Sequence, residues 1–248
     1  MNGRALASAV SANALPPNEP VPSLTKRIIE LLRVEKEDLV VDLYCRDLQY
    51  RKADVLEEIR PRDLMIAPSL FGERLGFALA TSGVRMVQMG TSTLGRYPMR
   101  YEKVLVRDGF SQFKGTLRRL LGEVFSQLDP AGRVLIVDSA PSSDAPLFAE
   151  GRRRWKKQHR SPQVIAELME ETGFSTQVEV VDCLRRVSSA DCYGWVESRS
   201  WPILESFQPA ELLSGLCELR TRYGSQRMVE FTSRFDLVLG TKPEALAS

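Results

Sequence analysis

Residues 128–138, LDPAGRVLIVD, join a Pro-Ala-Gly turn to an apolar run that ends in an aspartate. A short, continuous apolar run is typical of a strand that is buried on both faces of a parallel sheet. Comparable runs occur at 38–45, 63–67, 84–89, 102–107, 177–184 and 228–242, and helical periodicity at 23–34, 70–83, 113–132 and 161–174 lies between them. The alternation predicts an α/β fold with a doubly wound, mostly parallel sheet of seven strands.

The ends of the chain and one internal stretch depart from this alternation. Residues 1–22 are rich in Ala, Ser, Asn and Pro and are predicted to form a flexible arm that could close over a pocket. The arm lacks the apolar core of a secretory signal, so we expect a cytoplasmic protein. Residues 23–243 are predicted to form a single domain with a helical insertion at 184–225 before the last strand, and 244–248 form a tail.

The overall composition excludes several classes of protein. The 34 Lys and Arg residues and the 32 Asp and Glu residues leave a net charge of +2, so nucleic acid is an improbable partner on charge alone. No stretch approaches the ~18 uninterrupted apolar residues of a membrane span. The four cysteines form no CxxC pair, which argues against zinc binding, against thioredoxin-like chemistry and against a disulfide scaffold. We therefore expect free thiols and no bound metal.

Four segments together carry a resemblance to a known family. They are LDPAGRVLIVD (128–138), the ending FDLVLGTKP (235–243), YEKVLVRDGFSQF (101–113) and the insertion YGWVESRSWPILESFQPAELLSGLCEL (193–219). In order and spacing the chain resembles class I S-adenosylmethionine-dependent methyltransferases of the small-molecule type, over residues 25–243. The resemblance implies a Rossmann-like sheet, S-adenosylmethionine as the cofactor, and an insertion that covers a small-molecule substrate.

The glycine-rich cofactor motif of that family is altered here. The family carries D-x-G-x-G-x-G after its first strand, because the backbone must pass close to the cofactor with no Cβ in the way. The matching stretch is DLYCRDL (42–48), which keeps Asp42 but places Tyr44, Arg46 and Leu48 at the three glycine positions.

Two further cofactor positions depart from the family pattern. The carboxylate that holds the ribose hydroxyls is replaced by Ala67, with Ser69 nearby, and the adenine-binding aspartate is replaced by Gly90 or Thr91. The resemblance also implies that Arg107 and Asp108, after the fourth strand, lie at the cofactor site. Lost hydrogen bonds and added side-chain volume predict that S-adenosylmethionine binding is degraded and that methyl transfer is doubtful.

The residues that could act on a substrate are few. His159 is the only histidine, so any imidazole acid–base step must use it. It lies in the basic run GRRRWKKQHR (151–160), which is either an anion-binding mouth or a solvated loop. Gln112 stands where similar proteins often carry histidine. Tyr193, Trp195 and Trp201 either wall a substrate pocket or pack the insertion onto the core.

Several functions remain open on this sequence. The first is a small-molecule methyltransferase that binds its cofactor in an altered way. The second is a non-methylating cyclase or isomerase on the same fold. The third is an inactive subunit that binds an active methyltransferase, and self-association into a homo-oligomer is compatible with each. RNA binding through 151–160 is a weaker fourth.

Overall fold

A computed structural model describes residues 22–35, 38–44, 85–90, 100–107 and 117–244. Its strands are β1 (Leu39–Tyr44), β2 (Arg85–Gly90), β3 (Tyr101–Arg107), β4 (Leu128–Ser139), β5 (Ser175–Ser188) and β6 (Met228–Thr241). Its α-helices are α1 (Pro22–Leu32), α2 (Leu117–Gln127), α3 (Ala149–Gln158), α4 (Pro162–Thr172), α5 (Ser189–Glu197) and α6 (Pro209–Tyr223). A short 3₁₀ helix spans Pro202–Ser206.

The strands form one mixed sheet in the order β2-β1-β3-β4-β6-β5. β1, β2, β3 and β4 are parallel, and β6 runs antiparallel to β4. This arrangement confirms the predicted α/β class. The structure describes six strands rather than seven, because the predicted strand at 63–67 lies outside the described residues, as does the predicted helix at 70–83.

Chain contacts divide the described residues into two compact units. The sheet unit contains the residues up to Ala140, 159–181 and those from Phe235 onward. The helical unit contains 141–158 and 182–234. Of the helices in the described ranges, none is both long enough and apolar enough to span a bilayer.

The core of the sheet unit forms where α2 and α4 cover the sheet. The buried residues of α2 recur at helical spacing: Leu117, Leu120, Leu121 and Val124. They pack with Ile165, Ala166 and Met169 of α4 and with strand residues that include Val104, Val134 and Val238.

The boundaries of α4 agree with the cap signals read from the sequence. The hydroxyl of Ser161 accepts a hydrogen bond from the Gln163 amide at 3.3 Å, and Pro162 occupies the first helical turn. Gly173 ends the helix with φ 108°, a conformation that a residue with a Cβ rarely adopts.

The helical unit has a separate, aromatic core. Phe148, Trp195, Trp201, Phe207 and Phe231 lie in it, and Val187, Tyr193 and Tyr223 are among the partly buried residues packed against it. α6 approaches this core closely at Gly215, where an added Cβ would lie 2.5 Å from the Phe148 ring. The helix can pack there because glycine has no side chain.

The Pro-Ala-Gly turn is present, but it lies inside β4 and not ahead of it. Tyr101 is opposite Leu128, whereas Lys103 is opposite Arg133, so the register of β3 and β4 shifts across the turn. Ala131 has φ 59° there. A Cβ on Gly132 would lie 2.6 Å from the Leu128 side chain, so this close approach requires glycine.

Candidate functional site

The carboxyl ends of the parallel strands line up in one row. Tyr44 of β1 is opposite Arg107 of β3, and Arg107 is opposite Val137 of β4. One residue further along β4, Asp138 is opposite Asp236 of the antiparallel β6. Ligands of open α/β sheets bind outside these carboxyl ends, so the row defines the edge of the sheet at which a site is expected.

His159 lies at this edge and is bound to Asp236. It follows α3 directly in sequence, and its Nε2 is 3.0 Å from Asp236 Oδ2. Both side chains are nearly enclosed, with 11% of His159 and 9% of Asp236 exposed. A buried carboxylate against an imidazole fixes the orientation of the ring.

The pair determines which ring nitrogen is available for chemistry. An ionised carboxylate can only accept hydrogen bonds, so Nε2–H of His159 donates a hydrogen bond to Asp236. In the neutral imidazole Nδ1 is then an acceptor with a free lone pair. Nδ1 is buried and has no hydrogen-bond partner among the described residues. The arrangement therefore leaves Nδ1 as an unpaired acceptor beside a buried carboxylate.

Asp138 adds a second buried carboxyl to the same edge. The residue is 8% exposed and one of its oxygens, Oδ1, accepts the Ser139 amide at 3.0 Å. Two aspartates at opposed positions of neighbouring strands favour cationic or proton-donating groups nearby. Within the described ranges, no three His, Cys, Asp or Glu side chains are grouped so as to hold a metal ion.

Sequence reasoning selected His159 but missed Asp236 and Asp138. The signal available was an acid that directly follows or interrupts an apolar strand, as in RVLIVD and FDLVLG. Such an acid is buried at a strand end and must find a partner. The partner could not be read from the sequence, because His159 and Asp236 lie 77 positions apart.

Few of the predicted cofactor residues fall within the described residues. Asp42 and Tyr44 belong to β1 and Arg107 ends β3, and for these three the structure places the backbone only. Their pairing brings Tyr44 and Arg107 to the row described above. The remaining predictions lie outside the described residues: Arg46, Leu48, Ala67, Ser69, Thr91, Asp108 and Gln112.

The aromatic substrate candidates pack inside the helical unit. Trp195 and Trp201 are 3% and 4% exposed, and their rings meet edge to face with centroids 5.7 Å apart. Tyr193 is half-buried against the same cluster. Of the two interpretations of these residues, the contacts favour packing of the insertion, and contact with a substrate stays a prediction.

The basic run at 151–160 forms a helix, which corrects the predicted loop. Its residues up to Gln158 belong to α3, which begins at Ala149. Arg153 and Arg154 both donate to Glu150, with Nε–Oε distances of 2.6 and 2.8 Å. These hydrogen bonds lower the pKa of Glu150 to about 2. The loop interpretation ignored that an acid three and four residues before two arginines stabilises a helix.

Arg154 is also held by the core of the helical unit. It donates to Glu211 of α6, and its guanidinium carbon lies 3.9 Å from the centre of the Phe207 ring. Arg154 is thus engaged in packing and ion pairing. Anion binding by the exposed Lys156 and Lys157 stays a prediction.

Comparison with known proteins found similarity to solved structures. No protein-family model matches the sequence, and no curated protein is similar to it. Phosphoethanolamine N-methyltransferase 2 of Haemonchus contortus is 12% identical over 91% of this chain, with a TM-score of 0.48, and this chain spans only 54% of that enzyme. The YcgJ protein of Bacillus subtilis is 14% identical over 89% of this chain and 98% of its own, with a TM-score of 0.46. The cyclase SpnF is 14% identical over 90% of this chain and 81% of its own, with a TM-score of 0.44.

Proposed function

We propose that this protein is methyltransferase-like, that it binds a small molecule at the carboxyl edge of its sheet, and that its S-adenosylmethionine site is too altered for ordinary methyl transfer. The observation that carries the proposal is the enclosed His159–Asp236 pair, which lies beside the row where β1, β3 and β4 end. The sheet, in which β1 to β4 are parallel and β6 is antiparallel to β4, agrees with the fold that the sequence resemblance implies.

The residues at the cofactor positions fit S-adenosylmethionine poorly. Tyr44, at the first glycine position, is still paired with Gly90 and Arg107, so the strand continues where the family's backbone turns past its cofactor. A side chain there, and at Arg46 and Leu48, adds volume that the cofactor needs. Ala67 offers no acceptor for the ribose hydroxyls.

A titration with the cofactor tests this part of the proposal. In calorimetry, S-adenosylmethionine and S-adenosylhomocysteine should give no saturable heat below concentrations on the order of 1 mM. A variant with glycine at positions 44, 46 and 48 should remain a poor binder, and adding Ala67→Asp to it should improve the affinity because the ribose acceptor is restored. Tight binding by the unmodified protein would show a working methyltransferase with an unusual loop.

The His159–Asp236 pair favours a second candidate function, a non-methylating isomerase. Asp236 holds Nε2–H, and Nδ1 accepts a proton from a weakly acidic C–H or O–H of the substrate and returns it to another atom of the same molecule. The proton is conserved over the cycle, so the reaction needs no co-reactant. While it resides on Nδ1 the proton can exchange with solvent, so turnover in D₂O introduces deuterium into the product.

Isotope exchange tests the isomerase. Small hydroxy and oxo compounds that raise the melting temperature should be incubated with the protein in D₂O and examined by mass spectrometry. Deuterium should enter the ligand with the wild-type protein and should not with His159→Gln. Equal incorporation by the two proteins would rule out His159 as the group that moves the proton.

A further inference from the structure

The sheet unit contains a polar cavity far along the strands from His159. Its volume is about 330 Å³. One wall is the end of α1, with Arg27, Glu30, Leu31 and Arg33. The other wall is formed by strand residues: Arg133, Ser175, Thr176, Gln177, Leu239 and Thr241. Arg133 is opposite Thr241, at the end of β4 away from Asp138. The cavity therefore belongs to the amino edge of the parallel strands, whereas the candidate site lies at the carboxyl edge.

Arg27 is neutralised within the protein. Its Nε donates to Glu179 at 2.6 Å, and its Nη1 donates to Glu30 at 3.1 Å. Glu30 is the one carboxylate among the lining residues, and it is also within 3.8 Å of Lys26. The charges of Glu30 and Glu179 thus balance those of Arg27 and Lys26. The two carboxylates have no excess negative charge to neutralise Arg33 and Arg133.

Arg133 is fixed in place but keeps most of its donors. Its Nη1 donates to the Leu31 carbonyl at 2.6 Å, which caps the last turn of α1. A guanidinium carries five N–H groups, and among the described residues no carboxylate binds this one. Arg133 is thus a pre-positioned cation at the wall of the cavity.

Arg33 supplies a second cation close to the first. It follows α1 with φ 48°, and its amide donates to the Glu30 carbonyl at 3.2 Å. Burial and the charge of Arg33 lower the pKa of Arg133, as expected for two like charges that face one space. Within the described residues, no ion pair involves Arg33.

We propose that this cavity binds a small oxyanion, a phosphate or phosphoryl group, between Arg33 and Arg133. Arginine recognises phosphate oxygens through paired N–H donors, and an anion between the two guanidinium groups removes their repulsion. The hydroxyl of Ser175 adds a neutral donor at the same wall. The volume is near the lower end of the roughly 300–1,000 Å³ of small-molecule sites, so it suits a phosphate or a short phosphorylated compound rather than a nucleotide.

Calorimetric titration with inorganic phosphate and with pyrophosphate, at matched ionic strength against sodium chloride, tests the proposal. Pyrophosphate should bind more tightly than phosphate because it carries more charge to both arginines. Arg33→Gln should lower the affinity for both anions about tenfold or more, a difference of about 1.4 kcal/mol. Arg33 is exposed, so this variant is expected to fold, which circular dichroism can verify.

Two control variants distinguish the site from general charge effects. Arg119→Gln removes one charge from the exposed face of α2, where Arg119 pairs with Glu123 at 2.9 Å, and should leave the affinity unchanged. His159→Gln should also leave the affinity for phosphate and pyrophosphate unchanged. An absent oxyanion site can therefore be distinguished from an error in the function proposed for His159. Absence of saturable binding up to on the order of 10 mM, or equal affinity in Arg33→Gln and the wild type, would overturn the proposal.

Discussion

His159 Nε2 lies 3.0 Å from Asp236 Oδ2, although the two residues are 77 positions apart. The contact joins the residue that follows α3 to the reversed strand β6, at the row where the parallel strands end. Because both side chains are nearly enclosed, neither can exchange its partner for water without loss of stability. The chain's only imidazole therefore has one defined orientation.

Asp236→Ala should destabilise the protein by about 1–3 kcal/mol, because it leaves the Nε2 donor of His159 buried without an acceptor. Urea denaturation measures this difference. The nitrogen chemical shifts of the single histidine should also move from an Nε2–H tautomer towards a mixture, since the carboxylate no longer selects one form.

The matched control for Asp236→Ala is Asp182→Ala in the helical unit. Asp182 accepts two hydrogen bonds from Arg234, at 2.7 and 2.8 Å, but both side chains are largely exposed. Solvent screens such a pair, so the expected cost is only about 0–1 kcal/mol. Equal losses of unfolding free energy in the two variants would contradict the conclusion that burial makes the His159–Asp236 contact stabilising.

Gly215→Ala should destabilise the helical unit by about 1–3 kcal/mol, because its Cβ would lie 2.5 Å from the Phe148 ring and the core would have to move. Gly122→Ala in α2 has no atom within 4 Å of its Cβ and should stabilise the protein by roughly 0.5–1 kcal/mol through helix propensity. Opposite signs for two identical substitutions are the expected outcome in chemical denaturation.

Trp195→Ala should cost about 3–5 kcal/mol, because the ring contacts Trp201 and Phe231 inside the aromatic core. Trp195→Phe, which retains most of the packing, should lose far less. If Trp195 serves only packing, a ligand that stabilises the wild type should stabilise Trp195→Phe equally. A selective loss of ligand binding in Trp195→Phe would assign Trp195 to a substrate pocket.

Cys192 should resist alkylation in the folded protein. Burial raises the pKa of its thiol to about 12, from 9.0, so at pH 8 almost no thiolate is present. Peptide mapping after iodoacetamide treatment should show that the exposed Cys217 is modified first. Denaturant should abolish the difference between the two thiols.

The same pKa shift sets the sign of the pH dependence of stability. Between pH 9 and 12 the folded protein holds the Cys192 proton, whereas the unfolded chain releases it, so stability should fall as pH rises through this window. Cys192→Ala should show a smaller decline over that range. An identical decline in the variant and the wild type would place the titrating group elsewhere.

Much of the fold could be predicted from local pattern. The apolar runs at 84–89, 102–107 and 133–138 correspond to β2, β3 and part of β4, and the Ser-Pro and Gly signals bound α4. Such signals arise from neighbours in the chain, which is why the sequence displays them. The helix α3 was missed because its five basic residues hid the Glu150 contacts that support it.

The sequence by itself determined the strand and helix order, the altered glycine positions at Tyr44, Arg46 and Leu48, and the fact that only His159 can serve as an imidazole. The tertiary structure alone decided that Asp236 is its partner, that Trp195 packs in a core, and that Arg33 and Arg133 face one cavity. The partners of His159 and of Arg33 lie far from them in the chain. The antiparallel pairing of β6 with β4 brings Asp236 to the end of the parallel strands, and no local periodicity encodes that pairing.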